Sequence, residues 1–179
     1  MSKKVLIIST SPRKGGNSET LAKEFAKGAQ EAGHSAEIVS LHDKTIGFCK
    51  GCLACQKTRR CVIHDDADVI AQKMLTAEVI AFATPIYFYE MSGQMKTMLD
   101  RSNPLFPSNY AFRDIYLLAT AADGEESAMD GAIKGLQGWI DCFGKTSLKG
   151  AVCGIGVTDV GDIEGKSALR EANELGKAL

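Results

Sequence analysis

Apolar and polar positions along this chain alternate between two rhythms. Val5 to Ser9 is an unbroken apolar run ending in a small polar residue, the pattern of a strand covered on both faces. Ser18 to Ala32 then places Leu21, Phe25 and Ala29 on one face of a helix, and Gly33 stops it. Ala36 to Leu41 predicts a second strand. Asp66 to Ala77 predicts a helix capped by Asp65 or Asp66, with Ile70, Met74 and Ala77 inward. Val79 to Ala83 reads as a third strand, Gly93 to Arg101 as a short helix and Asp114 to Thr120 as a fourth strand. Met129, Ile133, Leu136, Ile140 and Phe143, at steps of four and three, mark the core stripe of the next helix. Ser147 to Val157 predicts a fifth strand broken by glycine, and a short helix follows from Lys166.

Strand and helix alternating five times predict an α/β fold with one parallel sheet covered on both faces. Right-handed crossovers then put a ligand crevice at the carboxyl ends of the strands, so the loops after each strand hold the candidate chemistry. A chain of 179 residues predicts one domain, 1–179, large enough to bury a core without disulfides. With 45% hydrophobic residues and a net charge of -1, disorder and the broad basic footprint of a nucleic-acid binder are both disfavoured. The longest apolar stretch, Val79 to Phe88, is broken by Thr84 and Pro85 and falls short of the ~20 residues of a membrane span. With no export signal evident, the expectation is a cytoplasmic protein whose six cysteines stay reduced.

The loop after the first strand, Thr10 to Ser18, feeds a helix N-terminus, where free N–H groups and the helix dipole favour an anion. Ser9, Ser11, Ser18, Asn17 and Arg13 add donors, and a phosphate monoester suits such a cage. Neither G-x-G-x-x-G nor G-x-x-x-x-G-K-[ST] is present, which argues against dinucleotides and triphosphates. Read alone, the same residues would also serve as a turn and helix cap.

The stretch after the third strand sets Ile86, Tyr87, Phe88, Tyr89 and Met91 behind Pro85, where a loop should be solvated. A flat ring such as an isoalloxazine would cover them; a hydrophobic plug or subunit interface is the alternative. Together, "TSPRKGGNSETL" and "ATPIYFYEMSGQMKTMLDR" resemble the flavodoxin-like NAD(P)H-dependent FMN reductases. That resemblance implies a five-stranded sheet of order 2-1-3-4-5 with FMN across the switch between strands one and three. It implies that Ser9, Ser11, Arg13, Asn17 and Ser18 grip the phosphate, that Pro85, Ile86, Tyr87 and Phe88 lie along the ring, and that Thr120, Ala121 and Gly124, in the loop after strand four, close the other side.

Between the second strand and the next helix, Leu41 to His64 shows little periodicity over roughly two dozen residues, long for a structureless loop unless it is functional. An insertion at about 42–64 carries Cys49-x2-Cys52-x2-Cys55-x5-Cys61, four of the six cysteines. The x2, x2 packing matches the run that wraps a [4Fe–4S] cluster better than paired zinc knuckles, with free thiols or an unoccupied site as a further reading. On a domain of this kind, "CKGCLACQKTRRCVIHDD" resembles the iron–sulfur flavoproteins. That kinship implies a cluster passing single electrons to FMN, NAD(P)H or a ferredoxin-like protein as donor, a small-molecule or protein acceptor, and a homodimer or homotetramer. Lys50, Lys57, Arg59 and Arg60 flank the thiolates, where they would offset cluster charge and meet an anionic donor, or simply form a solvated basic loop.

The remaining candidates read as structural. His34 and His42 have no partner pattern, His64 either supports the neighbouring Cys61 or simply precedes the helix cap, Cys142 and Cys153 read as small buried residues, and Trp139 falls off its helix's core stripe and is expected at the surface or an interface. Gly131, Gly135 and Gly138 are expected to let that helix pack closely on the sheet. Asp100 and Arg101 look structural, and the aromatic loop from Pro104 to Phe112 either covers a partner's flavin or folds on itself. No Ser-His-Asp or paired-carboxylate set argues for hydrolysis, and flavin chemistry requires no protein acid or base. The expectation is an FMN-dependent oxidoreductase with no catalytic side chain of its own. An FMN-only reductase with an empty cysteine motif, a flavodoxin-type electron carrier and a zinc-stabilised binding module are the alternatives.

Overall fold

The computed structural model describes residues Met1–Leu179. In chain order the elements are β1 (Lys4–Ser9), α1 (Asn17–Glu31), β2 (Ser35–Ser40), α2 (Cys55–Thr58), α3 (Asp66–Thr76), β3 (Val79–Tyr87), β4 (Glu90–Met91), α4 (Gly93–Arg101), β5 (Asp114–Thr120), α5 (Asp130–Ile140), β6 (Ser147–Gly154) and α6 (Ser167–Lys177). The five long strands are parallel, in the order β2-β1-β3-β5-β6. Counting only those five, this is the expected 2-1-3-4-5 order, and the fold is flavodoxin-like.

The alternation inside β1 explains the two cores. Val5 and Ile7 pack with Leu21, Phe25 and Ala29 of α1 and with Ala168 and Ala172 of α6. Leu6 and Ile8 point the other way, into a cluster with Ile70 and Met74 of α3, Met95 and Met98 of α4, and Leu136 and Ile140 of α5. A strand whose successive side chains enter opposite cores reads as a continuous apolar run. Edge strand β2 buries only Val39.

Three details depart from the sequence reading, and the Pro104–Phe112 segment takes one of its two expected courses, folding on itself. β3 continues to Tyr87 and folds back through β4, which pairs antiparallel to it at Ile86–Met91 and Tyr87–Glu90. Trp139 is packed, not peripheral: its ring lies 4.7 Å from Phe143 and 5.7 Å from both Phe82 and Phe112, and its Nε1 donates to Ser102 Oγ. The Pro104–Phe112 segment folds over α5's end and supplies that cover, stacking Tyr110 on Phe112. Cys142 is exposed and Cys153 only half-buried, where burial still lifts its thiol to about 11.

Candidate functional site

The register brings four strand ends to one edge: Ser9 lies opposite Ala83, Pro85 opposite Thr120, and Thr120 opposite Gly154. Buried hydroxyls cross-link the loops that leave them. Thr10 donates its N–H and its hydroxyl to Ala83 O, at 2.8 and 2.9 Å, and its Oγ1 lies 3.0 Å from Ser92 Oγ. Ser92 N–H donates to Thr84 Oγ1, while Ser92 Oγ caps α4 by accepting from Met95 N–H. Sequence reading missed Thr10, Thr84 and Ser92; the signal was a serine directly before the α4 pattern, the usual place of an N-cap.

Against this edge lies a cleft of about 140 Å³, lined by Ser11, Arg13, Gly16, Asn17 and Ser18 on one wall and Pro85, Ile86 and Tyr87 on another. The first loop folds on Ser11, whose Oγ accepts from Arg13 N–H and donates to Arg13 O. Helix α1 starts at the cleft with no side-chain cap, so its first N–H groups have no intrahelical acceptor. Ser18 Oγ at its first turn and Ser9 Oγ at the end of β1 are buried without a hydrogen-bond partner. Glu19 adds a carboxylate nearby, but it bonds Gly15 N–H and pairs with Lys23 at 2.8 Å.

The facing wall is the β3–β4 hairpin. Its turn residues Phe88 and Tyr89 have φ of 50° and 62°, left-handed backbone that bulky aromatics rarely adopt. Tyr87, Phe88 and Tyr89 are exposed, Phe88 completely. Two contacts hold the turn. Tyr89 Oη donates to Asp123 Oδ2 at 3.0 Å, a bond that raises the phenol's pKa. Helix α5 passes so close that a Cβ at Gly131 would collide with Tyr89 O, and one at Gly135 would meet Met91 Cε at 2.9 Å. The helix glycines therefore accommodate this hairpin and not the parallel sheet, while Gly138 faces open space.

From the loop after β5, Thr120 and Ala122 line the cleft. Ala121 is buried and bonds through its backbone to Gly154 and Val157, and neither it nor Gly124 is part of the lining. The final wall, Val157 to Val160, was not foreseen. Arg13 Nη1 donates to Thr158 O at 2.8 Å, and Asn17 donates Nδ2 to Asp159 O while its Oδ1 accepts from Gly161 and Ile163 N–H. Arg13 and Asn17 thus tie this loop down. Its legible signal is the turn Asp159-Val160-Gly161-Asp162, where Asp162 accepts from Thr158 and Asp159 N–H.

Cys49, Cys52, Cys55 and Cys61 line a second, smaller pocket of about 20 Å³ with Arg101, Asn103 and Pro104. Gly51 and Leu53 take left-handed φ of 63° and 55° between the cysteines, and Arg59 does so after Cys55, wrapping the chain around the pocket. Gly51 N–H and Ile63 N–H donate to the sulfurs of Cys49 and Cys61, each at 3.5 Å. Burial, then the charges of Cys61, Cys49 and Cys52, push the Cys55 thiol up. As they stand, no three of the four thiols converge tightly enough to ligate an ion. Arg60 is not free: it forms a two-pronged pair with Asp68 at 2.6 and 3.2 Å.

The cleft has the donors its sequence suggests, while the cysteine pocket has the donor set of a cluster without its thiols converging on one point. Uncapped N–H groups and orphaned buried hydroxyls suit a phosphate monoester, and an exposed aromatic shelf suits a flat ring. Four thiols with N–H donors to sulfur suit a cluster of iron and sulfide.

The NADPH-dependent FMN reductase family model matches residues 3–158. An iron–sulfur flavoprotein of Methanocaldococcus jannaschii is 42% identical over 102 residues, 57% of this chain and 53% of the relative, so the chain spans about half the length of that curated relative. A Bacillus subtilis protein named as an NAD(P)H-dependent FMN-containing oxidoreductase is 30% identical over 96% of both chains. An NAD(P)H:quinone oxidoreductase structure from Methanothermobacter marburgensis superposes with a TM-score of 0.73 at 18% identity, over 99% of this chain and 96% of that one, a likeness of fold. With strand order, cleft and family match in agreement, this chain belongs to the NADPH-dependent FMN reductase family.

Proposed function

We propose that this chain is an FMN-dependent oxidoreductase that takes electrons from NAD(P)H or a ferredoxin-like donor and passes them to a small-molecule or protein acceptor, with a [4Fe–4S] cluster in the cysteine loop. The observation that carries the reading is Ser18 Oγ: a buried hydroxyl without a partner, at an uncapped helix start, lining a cleft whose facing wall is Pro85, Ile86 and Tyr87. Bound FMN would supply hydride acceptance and both one- and two-electron transfer.

The chain's own residues would do the rest. The α1 N-terminus, Ser9, Ser11 and Ser18 hold the phosphate, with Arg13 and Asn17 reaching it directly or through the 158–163 loop. Pro85, Ile86, Tyr87 and Phe88 support the ring and exclude water from one face, and Thr120 bounds the other. Cys49, Cys52, Cys55 and Cys61 would hold the cluster. The exposed Tyr87, Phe88 and Tyr89 favour a homodimer or homotetramer in which a second copy completes the cover. No helix is long and apolar enough to cross a membrane, in keeping with a cytoplasmic site of action.

Anaerobic purification followed by absorption, iron and sulfide analysis, light scattering and steady-state NADH or NADPH oxidation tests this. A brown protein with about four iron per chain and turnover supports the full reading. A flavin-bearing protein without turnover would instead be an electron carrier. A yellow, iron-free, active protein would be an FMN-only reductase, a reading favoured by the exposure of Cys49 and Cys52 and the spread of the four thiols. A colourless protein that takes up no FMN sinks the proposal.

A further inference from the structure

The most deeply buried charge in this molecule lies beside the cysteines and not beside the cleft. The Arg101 side chain is 0% exposed. Its Nη1 donates to Asp65 Oδ2 at 2.7 Å and to Gly47 O, and its Nη2 donates to Asp65 Oδ1 at 2.8 Å and to Ile63 O. Four of its five N–H bonds are directed at both ends of the cysteine loop. The fifth, on Nε, is buried with no partner, and the residue lines the pocket that the four sulfurs share. An orphaned guanidinium donor is rare in a protein interior and calls for an acceptor.

We infer that Arg101 is a positioning residue for the cysteine site: its fork holds the loop, and its Nε–H serves a ligated sulfur, so that the Arg101–Asp65 pair presents its positive end to the cluster and sets its reduction potential. The inference rests on the cluster reading above. A cation at a cluster favours the more negative, reduced state, and an anion disfavours it. Arg101 and Asp65 therefore pull the potential in opposite directions.

The test uses full-length protein, anaerobically purified and reconstituted, with the one-electron reduction of the cluster followed by EPR during a dithionite titration. In R101Q the buried Asp65 is left uncompensated, and the reduced-to-oxidised ratio at fixed potential should fall roughly tenfold, about 59 mV for one electron. In D65N the cation is left uncompensated and the ratio should rise by a similar factor; Asn also remains a competent cap for α3. Opposite shifts support the inference, because a purely structural role would move both variants the same way or neither. Shifts of one sign, or both under about twofold, overturn it while leaving the cluster reading intact. If R101Q fails to fold, the rise in D65N alone decides. Wild-type protein that takes up no iron on reconstitution overturns the cluster reading, and this inference with it.

Discussion

The cleft and the cysteine pocket lie on one fold but are held in opposite ways. The cleft is made where four strands end, and its loops are cross-linked by the Thr10, Thr84 and Ser92 hydroxyls. Its shape is supported by both cores. The cysteine pocket belongs to a segment whose only regular element is the four-residue α2, and it is fastened to the body by the buried Arg101 on Asp65 and by the more exposed Arg60–Asp68 and Gln56–Asn103 contacts. The first site is tied by several buried hydroxyls and the second leans on a single buried charge, so single substitutions should affect them unequally.

The largest effect should come from Arg101→Ala. Breaking a buried pair and stranding Asp65 should destabilise the protein by about 3 kcal/mol or more, seen in urea unfolding. An equally destabilising substitution at Thr10 would erase the contrast between the sites. The same pair has a pH signature. Burial raises the Asp65 carboxyl, but the Arg101 bonds and the Gly47 and Ala67 N–H groups outweigh it and hold it below the ordinary range. A depressed carboxyl contributes stability above its unfolded pKa, and that stability is lost as pH falls through the folded value. The acid limb of a stability–pH curve should flatten in D65N.

Next in size is Gly131→Val, which forces α5 off the hairpin at Tyr89 O. A loss of about 2 kcal/mol and weaker FMN binding are expected, by calorimetry. Ser18→Ala should weaken FMN about tenfold, one charge-assisted hydrogen bond, while leaving the flavin-free protein as stable or slightly more so. Unchanged FMN affinity in fluorescence titration would remove Ser18 from the phosphate site. Phe88→Gly should relieve left-handed strain and stabilise the apoprotein by about 1 kcal/mol, yet loosen flavin retention. The smallest effect should be Arg59→Ser, a fall in donor kinetics of about twofold at low salt that vanishes at high salt. Arg60 should contribute less to donor docking, because Asp68 already engages it.

The parallel sheet was legible because its strands are doubly buried and its helices carry clean apolar stripes; β1, α1, β5 and α5 follow directly. The hairpin was not, because β4 is two residues long and its turn lacks the Asn or Gly that normally marks left-handed backbone. Trp139 was misplaced because its cover comes from Phe112, distant in sequence. At the cleft, the residues of the first and third loops lie together as a pair of walls, but the 157–160 wall escaped notice because its backbone, not its side chains, meets Arg13 and Asn17. The cysteine spacing was plain from the sequence, whereas the role of Arg101 required knowing that a residue forty positions downstream of Cys61 returns to the same pocket.

Phe88 and Tyr89 hold left-handed backbone that Asn-Gly would adopt more easily, so ease of folding and retention of a flat ring would favour different residues at this turn. If positions 88 and 89 were randomised and the library sorted first for soluble expression, small flexible residues should take over. Sorted afterwards for yellow colour, the survivors should regain their rings, and the two winning pools would share few members.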